Sequence, residues 1–233
     1  MKVQYEGAIM NLDLLDRKNK YSNGFCHWPV VAWNKPNGIW QPSTTNFTSL
    51  GDPNAVGSGI TALTTLMHEA GHAAHFANIK QPSPLFGQER PPFSAALAEG
   101  QSMFLDSLVD DAAWKVRYAR SAGTDNKPIP FELIEEQIRS TQPFEVFQLR
   151  AMLSVPYFEK AIYELPENEV TAEKIQEIAD EIEIKIQGGL GPRPLLSVPH
   201  IISDEASCYY HAYVVSKKPC GYTPMRDLFD LFA

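Results

Sequence analysis

The sequence predicts a mainly helical α+β fold, with a small antiparallel sheet in residues 1–50 and a helical body in residues 51–233. Aromatic and β-branched residues alternate with turn clusters in the first part, a pattern typical of a hairpin or a small β-meander. From residue 58 the apolar residues recur with the helical period. The length of 233 residues and the hydrophobic fraction of 44% suit one globular core, so we expect a single domain over 1–233.

Three strands are expected in the N-terminal part. The apolar stretch 7–15 predicts the first strand, 25–33 the second and 41–49 the third. The turn cluster 34–38, which contains Pro and Gly, separates the last two.

Six helices are expected in the remainder of the chain. Ser58 and Thr171 are natural N-caps for the first and the fifth of them. A Gly-rich loop at 188–194 precedes the last helix. The predicted helices span residues 58–77, 93–121, 131–139, 143–165, 171–187 and 204–217.

Composition argues against several classes of protein. The net charge is −8 and no run of basic residues occurs, so no nucleic-acid partner is expected. No apolar stretch approaches the roughly 18 residues of a membrane span, and no signal peptide is recognised. We therefore expect a cytoplasmic protein without membrane contact. The three widely spaced cysteines predict neither a disulfide framework nor a cysteine-based zinc site.

The segment HEAGHAAH at residues 68–75 carries the strongest chemical signal. On a helix, His68 and His72 lie one turn apart on one face, where both imidazoles can bind one tetrahedral ion. Glu69 lies about 100° around the axis, where it can take a proton from water. The pattern predicts one Zn²⁺ per chain and a metallopeptidase in which Glu69 is the general base. Gly71 costs a helix about 1 kcal/mol relative to Ala, which indicates close packing against its backbone.

A third ligand is expected from a second helix, as in thermolysin-like sites. Glu99 is the candidate, because a carboxylate in this strongly apolar helix is costly unless it is paired or bound to a metal. The alternative is that Glu99 faces water on a thin face that includes Ser102. Asp106 lies seven residues further on the same face, where it either orients a metal-bound imidazole or is a plain surface acid. His75 shares the face of the two histidine ligands, and packing or outer support of the site is expected for it.

Several segments resemble the thimet oligopeptidase and oligopeptidase F family of zinc metallopeptidases. Residues 9–21 are similar to its strand and turn YLDLYPREGKY, and residues 46–48 match its NFT stretch. Residues 68–75 match its HExGHxxH motif, and residues 99–105 align with its glutamate-bearing helix. The resemblance implies a zincin-like HExxH helix in an α-rich oligopeptidase catalytic domain that acts on oligopeptide substrates.

The resemblance also implies substrate contacts near the C-terminus. His200 and the cluster 209–216 resemble the family's H…YYGYLWS segment, in which a Tyr donates to the oxyanion. Tyr213 takes that role if the alignment is anchored on residues 214–216, and Tyr210 takes it if the paired tyrosines are the anchor. The alternative for either Tyr is an aromatic helix face in the core. The family's further Tyr, a few residues after the His, has no counterpart in residues 203–205.

Family members are usually far longer, so the chain is expected to be truncated relative to them at both ends. A fragment, a truncated gene product and a compact relative all fit that difference. The predicted function is that of a zinc metalloendopeptidase. The alternatives are a catalytically silent remnant that still binds zinc and a non-enzymatic interaction module in which HExxH is a coincidence.

Overall fold

The structure is a computed structural model that describes residues 13, 15–20, 24–30, 32–78, 83, 94–121, 125–189, 195–203 and 207–222. It confirms a mostly helical fold with two small antiparallel sheets. The chain forms two compact units, of which the second comprises Glu132–Lys218. The single domain over 1–233 stays a prediction. Among the helices of the described residues, none has both the length and the apolar character that crossing a membrane requires.

The strands of the first unit form a hairpin within a hairpin instead of a meander. β1 (Phe25–Val30) pairs with β4 (Thr44–Thr48), and β2 (Trp33–Asn34) pairs with β3 (Trp40–Gln41). The predicted strand 41–49 is broken because Pro42 has no N–H to donate to a ladder. The predicted strand 7–15 lies outside the described residues, apart from positions 13 and 15, which are not in a strand.

The first predicted helix is confirmed as α1 (Ser58–Asn78). Ser58 is the first residue of the helix and not the residue before it, and its hydroxyl donates to the Asp52 carbonyl. The predicted helix 93–121 is wrong in its middle, where a 3₁₀ turn separates α2 (Ala95–Ser107) from α3 (Ala112–Tyr118). Asp111 causes the break, since its carboxylate accepts the Trp114 N–H at 2.7 Å and caps α3.

Helix α1 packs against α2 on one side and against β1 and β4 on another. The contact with α2 is close because Gly71 has no side chain. A β-carbon at Gly71 would lie 2.6 Å from Ser102 Cα and 3.0 Å from the Gln101 carbonyl oxygen. The close packing expected at this glycine is therefore present, and it sets the separation of the two helices.

The second unit is helical throughout its described residues. Thr171 caps α6 as predicted, accepting the Lys174 N–H at 3.2 Å. The predicted helix 171–187 ends as a π-helical turn that stops at Gly188, whose φ is 82°. The helices are α4 (Phe131–Thr141, which starts one residue before the unit), α5 (Glu145–Tyr163), α6 (Ala172–Ile182) and α7 (His211–Tyr222).

The core of the second unit lies between α5, α6 and the segment that leads to α7. Val155 and Phe158 of α5 meet Leu195, Ile201 and Tyr210 there. The last helix begins later than predicted, at His211 rather than at residue 204, because residues 207–210 form a turn in which Cys208 has a φ of 56°. The predicted loop is described only at its first two glycines, and 190–194 lie outside the described residues.

Candidate metal centre

Two histidines of α1 and one glutamate of α2 bring their ligand atoms together. Glu99 Oε2 lies 3.2 Å from His68 Nε2 and 3.5 Å from His72 Nε2. One ligand atom from each of the three side chains lies within 4.8 Å of the others. Glu99 is only 1% exposed, so the alternative in which it faces water is wrong. The i, i+4 spacing and the close approach of α1 and α2 produce this arrangement.

Ser102 supports the glutamate from within its own helix. Its hydroxyl, which is fully buried, lies 2.9 Å from both Glu99 Oε2 and the Glu99 carbonyl oxygen. The alternative that put Ser102 on a solvent-facing side of α2 together with Glu99 is therefore wrong. The available signal was its position three residues after Glu99, from which a helical serine reaches back to the preceding turn.

Asp106 orients His68, and the plain surface-acid alternative is not what the structure shows. Asp106 Oδ2 lies 2.8 Å from His68 Nδ1. When the ring is neutral, a carboxylate at this nitrogen favours the tautomer with a proton on Nδ1 and a lone pair on Nε2. An Nε2 lone pair is the form of imidazole that binds a cation.

The electrostatics favour positive charge at the point where these side chains meet. Burial opposes the charge of His68, but the carboxylates of Asp106 and Glu99 outweigh it and raise the pKa of His68 to about 10. Burial likewise opposes the charge of Glu99, but His72 and His68 hold the pKa of Glu99 well below its usual range. Two neighbouring groups that both stay charged while buried mark a site with strong local polarity.

Glu69 lies beside the cluster on α1 and is 6% exposed. Burial raises the pKa of its carboxyl, while the charges of His68 and His72 act in the opposite direction. The chain that enters β1 covers this side of the helix at Gly24. A β-carbon at Gly24 would lie 3.2 Å from Glu69 Oε1. Sequence analysis missed Gly24, because a glycine just before a strand looks like an ordinary turn residue.

Residues 6–215 match the profile of Peptidase family M3. The chain belongs to this family. The match confirms the resemblance to the thimet oligopeptidase and oligopeptidase F group at the level of the catalytic domain. A comparison with curated proteins gives no match. Membership in a family of metallopeptidases agrees with the donor set of His68, His72 and Glu99.

Three further histidines of the described residues, at positions 75, 211 and 27, do not belong to this metal-binding group. His75 stacks on Phe76, with ring centroids 5.4 Å apart, and burial lowers the pKa of His75 to about 4. Its Nδ1 has no hydrogen-bond partner among the described residues. His211 is exposed, and His27 lies in β1, opposite Asn46 of β4. His75 therefore packs against its own helix.

The candidates for substrate contact in this M3 chain lie in the second unit, where they form an aromatic cluster. The His200 ring lies 5.1 Å from the Tyr210 ring and 6.1 Å from the Tyr213 ring. The two tyrosine rings lie 4.8 Å apart. Tyr210 is buried in the core of the unit, whereas Tyr213 is half-buried at its edge. Tyr213 therefore has the greater access to solvent.

Proposed function

We propose that the chain is a zinc-dependent endopeptidase that hydrolyses peptide bonds in oligopeptides. The observation that carries the proposal is the convergence of His68 Nε2, His72 Nε2 and Glu99 Oε2 in a member of Peptidase family M3. Two imidazole nitrogens and one carboxylate oxygen are the three-ligand set of catalytic zinc sites. The HExxH spacing places a further carboxylate beside this set.

The donor set fits zinc in its chemistry and in its surroundings. The three ligand atoms belong to side chains of two packed helices. Asp106 restrains the His68 side chain, and Ser102 restrains the Glu99 side chain. His68, His72 and Glu99 would hold one Zn²⁺, which would supply a Lewis acid for the scissile carbonyl and an acidified water molecule.

Glu69 moves the protons of the proposed reaction. As a carboxylate it accepts a proton from the attacking water, and it then returns that proton to the leaving amine. Burial raises the pKa of Glu69 and so favours the protonated form that the second step needs. Gly24 lets the chain pass close to this carboxylate, because a β-carbon there would lie 2.1 Å from Thr65 Cγ2 and 3.2 Å from Glu69 Oε1.

For the second unit we propose that His200 contacts the peptide and that a tyrosine donates a hydrogen bond to the developing oxyanion. The family resemblance supports these roles. Tyr213 is our choice over Tyr210, because Tyr213 is the more accessible residue of the two and Tyr210 fills the core.

The test compares the wild type with Glu69→Gln on a quenched fluorogenic oligopeptide. We expect the substitution to keep stoichiometric zinc and to lower kcat by about 10²–10⁴-fold, the usual contribution of a general base. Glu173→Gln removes the same charge from an exposed position on α6 and should keep full activity. If the wild type and Glu69→Gln both hold zinc and both fail to cleave any peptide, the chain is a silent zinc-binding remnant. If neither holds zinc, it is an interaction module.

A further inference from the structure

We propose that Glu159 and Tyr163 of α5 are positioning residues that hold together the two segments bearing His200 and the cluster tyrosines. We call this pair of contacts the clamp. The importance of the aromatic cluster for catalysis rests on the proposed function, whereas the existence of the clamp does not. The two residues lie one helical turn apart on α5, where Glu159 is buried and Tyr163 is 45% exposed.

Glu159 is a charged residue in a setting that does not favour charge. Its side chain is 2% exposed, and its Oε1 accepts the backbone N–H of Cys208 at 3.0 Å. Its Oε2 is buried without a hydrogen-bond partner among the described residues. Burying a carboxylate with one oxygen unsatisfied lowers stability, and an apolar residue would avoid that loss. We therefore infer that Glu159 serves to hold the backbone N–H of Cys208.

The bond acts on a strained point of the backbone. Cys208 has a φ of 56°, in the left-handed region that is unfavourable for a residue with a β-carbon. The turn at Cys208 leads directly into Tyr209 and Tyr210 and then into α7. Fixing this amide sets the direction in which α7 starts, and with it the place of Tyr213.

Tyr163 holds the other segment. Its hydroxyl donates to the Ile201 carbonyl at 2.5 Å, and Ile201 follows His200 in the 3₁₀ turn Pro199–Ile202. The His200 ring meets the Tyr210 ring edge to face. Two side chains of α5 thus bind the backbone on both sides of the aromatic cluster. Glu159 accepts the N–H of Cys208, and Tyr163 donates to the carbonyl of Ile201.

A general contribution to the core is the competing explanation, and Ser154 provides a matched control. Ser154 is a fully buried polar residue of α5, but its hydroxyl accepts from Nε2 of Gln187, at 2.8 Å, in the π-helical turn that follows α6. If burial of polar groups on α5 merely supports the core, Ser154→Ala should disturb the cluster as much as the changes at Glu159 and Tyr163.

The first measurement is amide hydrogen exchange of residues 207–213 in the full chain. Loss of a single restraining bond should speed local exchange in Glu159→Leu and Tyr163→Phe by about tenfold or more. Glu159→Gln keeps an oxygen acceptor and should stay within about threefold of the wild type. Ser154→Ala should leave this segment unchanged. Tyr163→Phe removes one oxygen from a half-exposed ring and should therefore fold. This variant still tests the clamp if Glu159→Leu does not fold.

The second measurement is hydrolysis of the fluorogenic oligopeptide together with zinc content. Glu159→Leu should lower kcat about tenfold or more with zinc content unchanged, and Glu159→Gln should restore most of the loss. Wild-type exchange in both Glu159→Leu and Tyr163→Phe would overturn the clamp. Faster exchange with unchanged kcat would overturn its role in positioning. A wild type that cleaves no peptide would refute the proposed function, while the exchange experiment would still decide on the clamp.

Discussion

Single residues decide how the candidate metal centre is held, and Asp106 is the clearest example. Its carboxylate bonds His68 Nδ1 at 2.8 Å and so fixes the ring that presents Nε2 to the cluster. We predict that Asp106→Ala weakens zinc binding about 10–100-fold, because the imidazole loses both its orientation and its tautomer preference. Competition with a fluorescent zinc chelator measures this change. Asp125→Ala removes an exposed acid of the same unit as a control, and equal affinities in all three proteins would contradict the prediction.

The burial of His75 predicts that the stability of the folded protein decreases at acidic pH. The pKa of His75 is lowered from 6.5 to about 4, chiefly by burial, so the unfolded chain binds a proton that the folded chain excludes. Stability is therefore lost as the pH falls from about 6.5 towards 4. His75→Gln should lose less stability than the wild type over this interval, as measured by urea unfolding of zinc-free protein at each pH. Parallel losses in both proteins would refute this assignment.

The residues that carry chemistry could be predicted from sequence to different extents. His68, Glu69 and His72 lie on one element with fixed spacing, so a helix alone determines their relative placement. Glu99 could be proposed because a carboxylate in an apolar helix needs a partner. Gly24 could not, since its constraint comes from a strand that passes over Glu69, and no pattern along the chain records that contact.

At the scale of elements, the separation of α1 and α2 depends on Gly71. A β-carbon there would meet the backbone of α2 at 2.6 Å, within one turn of Glu99. We predict that Gly71→Ala displaces α2, destabilises the protein by about 1–3 kcal/mol and weakens zinc binding. Urea unfolding and a zinc titration measure the two effects.

Gly59 provides the matched control for that experiment. It lies in the first turn of the same helix, and a β-carbon there would meet nothing within 4 Å. Gly59→Ala should raise stability by up to about 1 kcal/mol, because alanine is the better helix former. If the two substitutions have the same effect, close packing at Gly71 is not what sets the helix separation.

Element boundaries show where sequence patterns stop being informative. Thr171 caps α6 as predicted, since the capping residue and the start of the apolar stripe coincide. Asp111 was overlooked as a cap because it lies inside a long run of helix-forming residues, where the period alone predicts continuity. The late start of α7 depends on the backbone of Cys208, which a distant carboxylate of α5 restrains. Local propensity contains no information about that bond.

At the scale of the whole molecule, the family match spans residues of both compact units. The candidate metal ligands all belong to the first unit, and the aromatic cluster around His200 belongs to the second. Zinc that binds only the folded first unit would also stabilise it, by an amount that grows with free zinc concentration.

Zinc content per chain tests the central claim most directly. Wild-type protein, dialysed against metal-free buffer after exposure to zinc, should retain one zinc ion per chain by mass spectrometry of the metal. His72→Ala and Glu99→Ala should each lose most of it, because each removes one of three ligands while leaving α1 and α2 otherwise intact. A wild type without stoichiometric zinc, or variants that retain as much zinc as the wild type, would contradict the assignment of this centre.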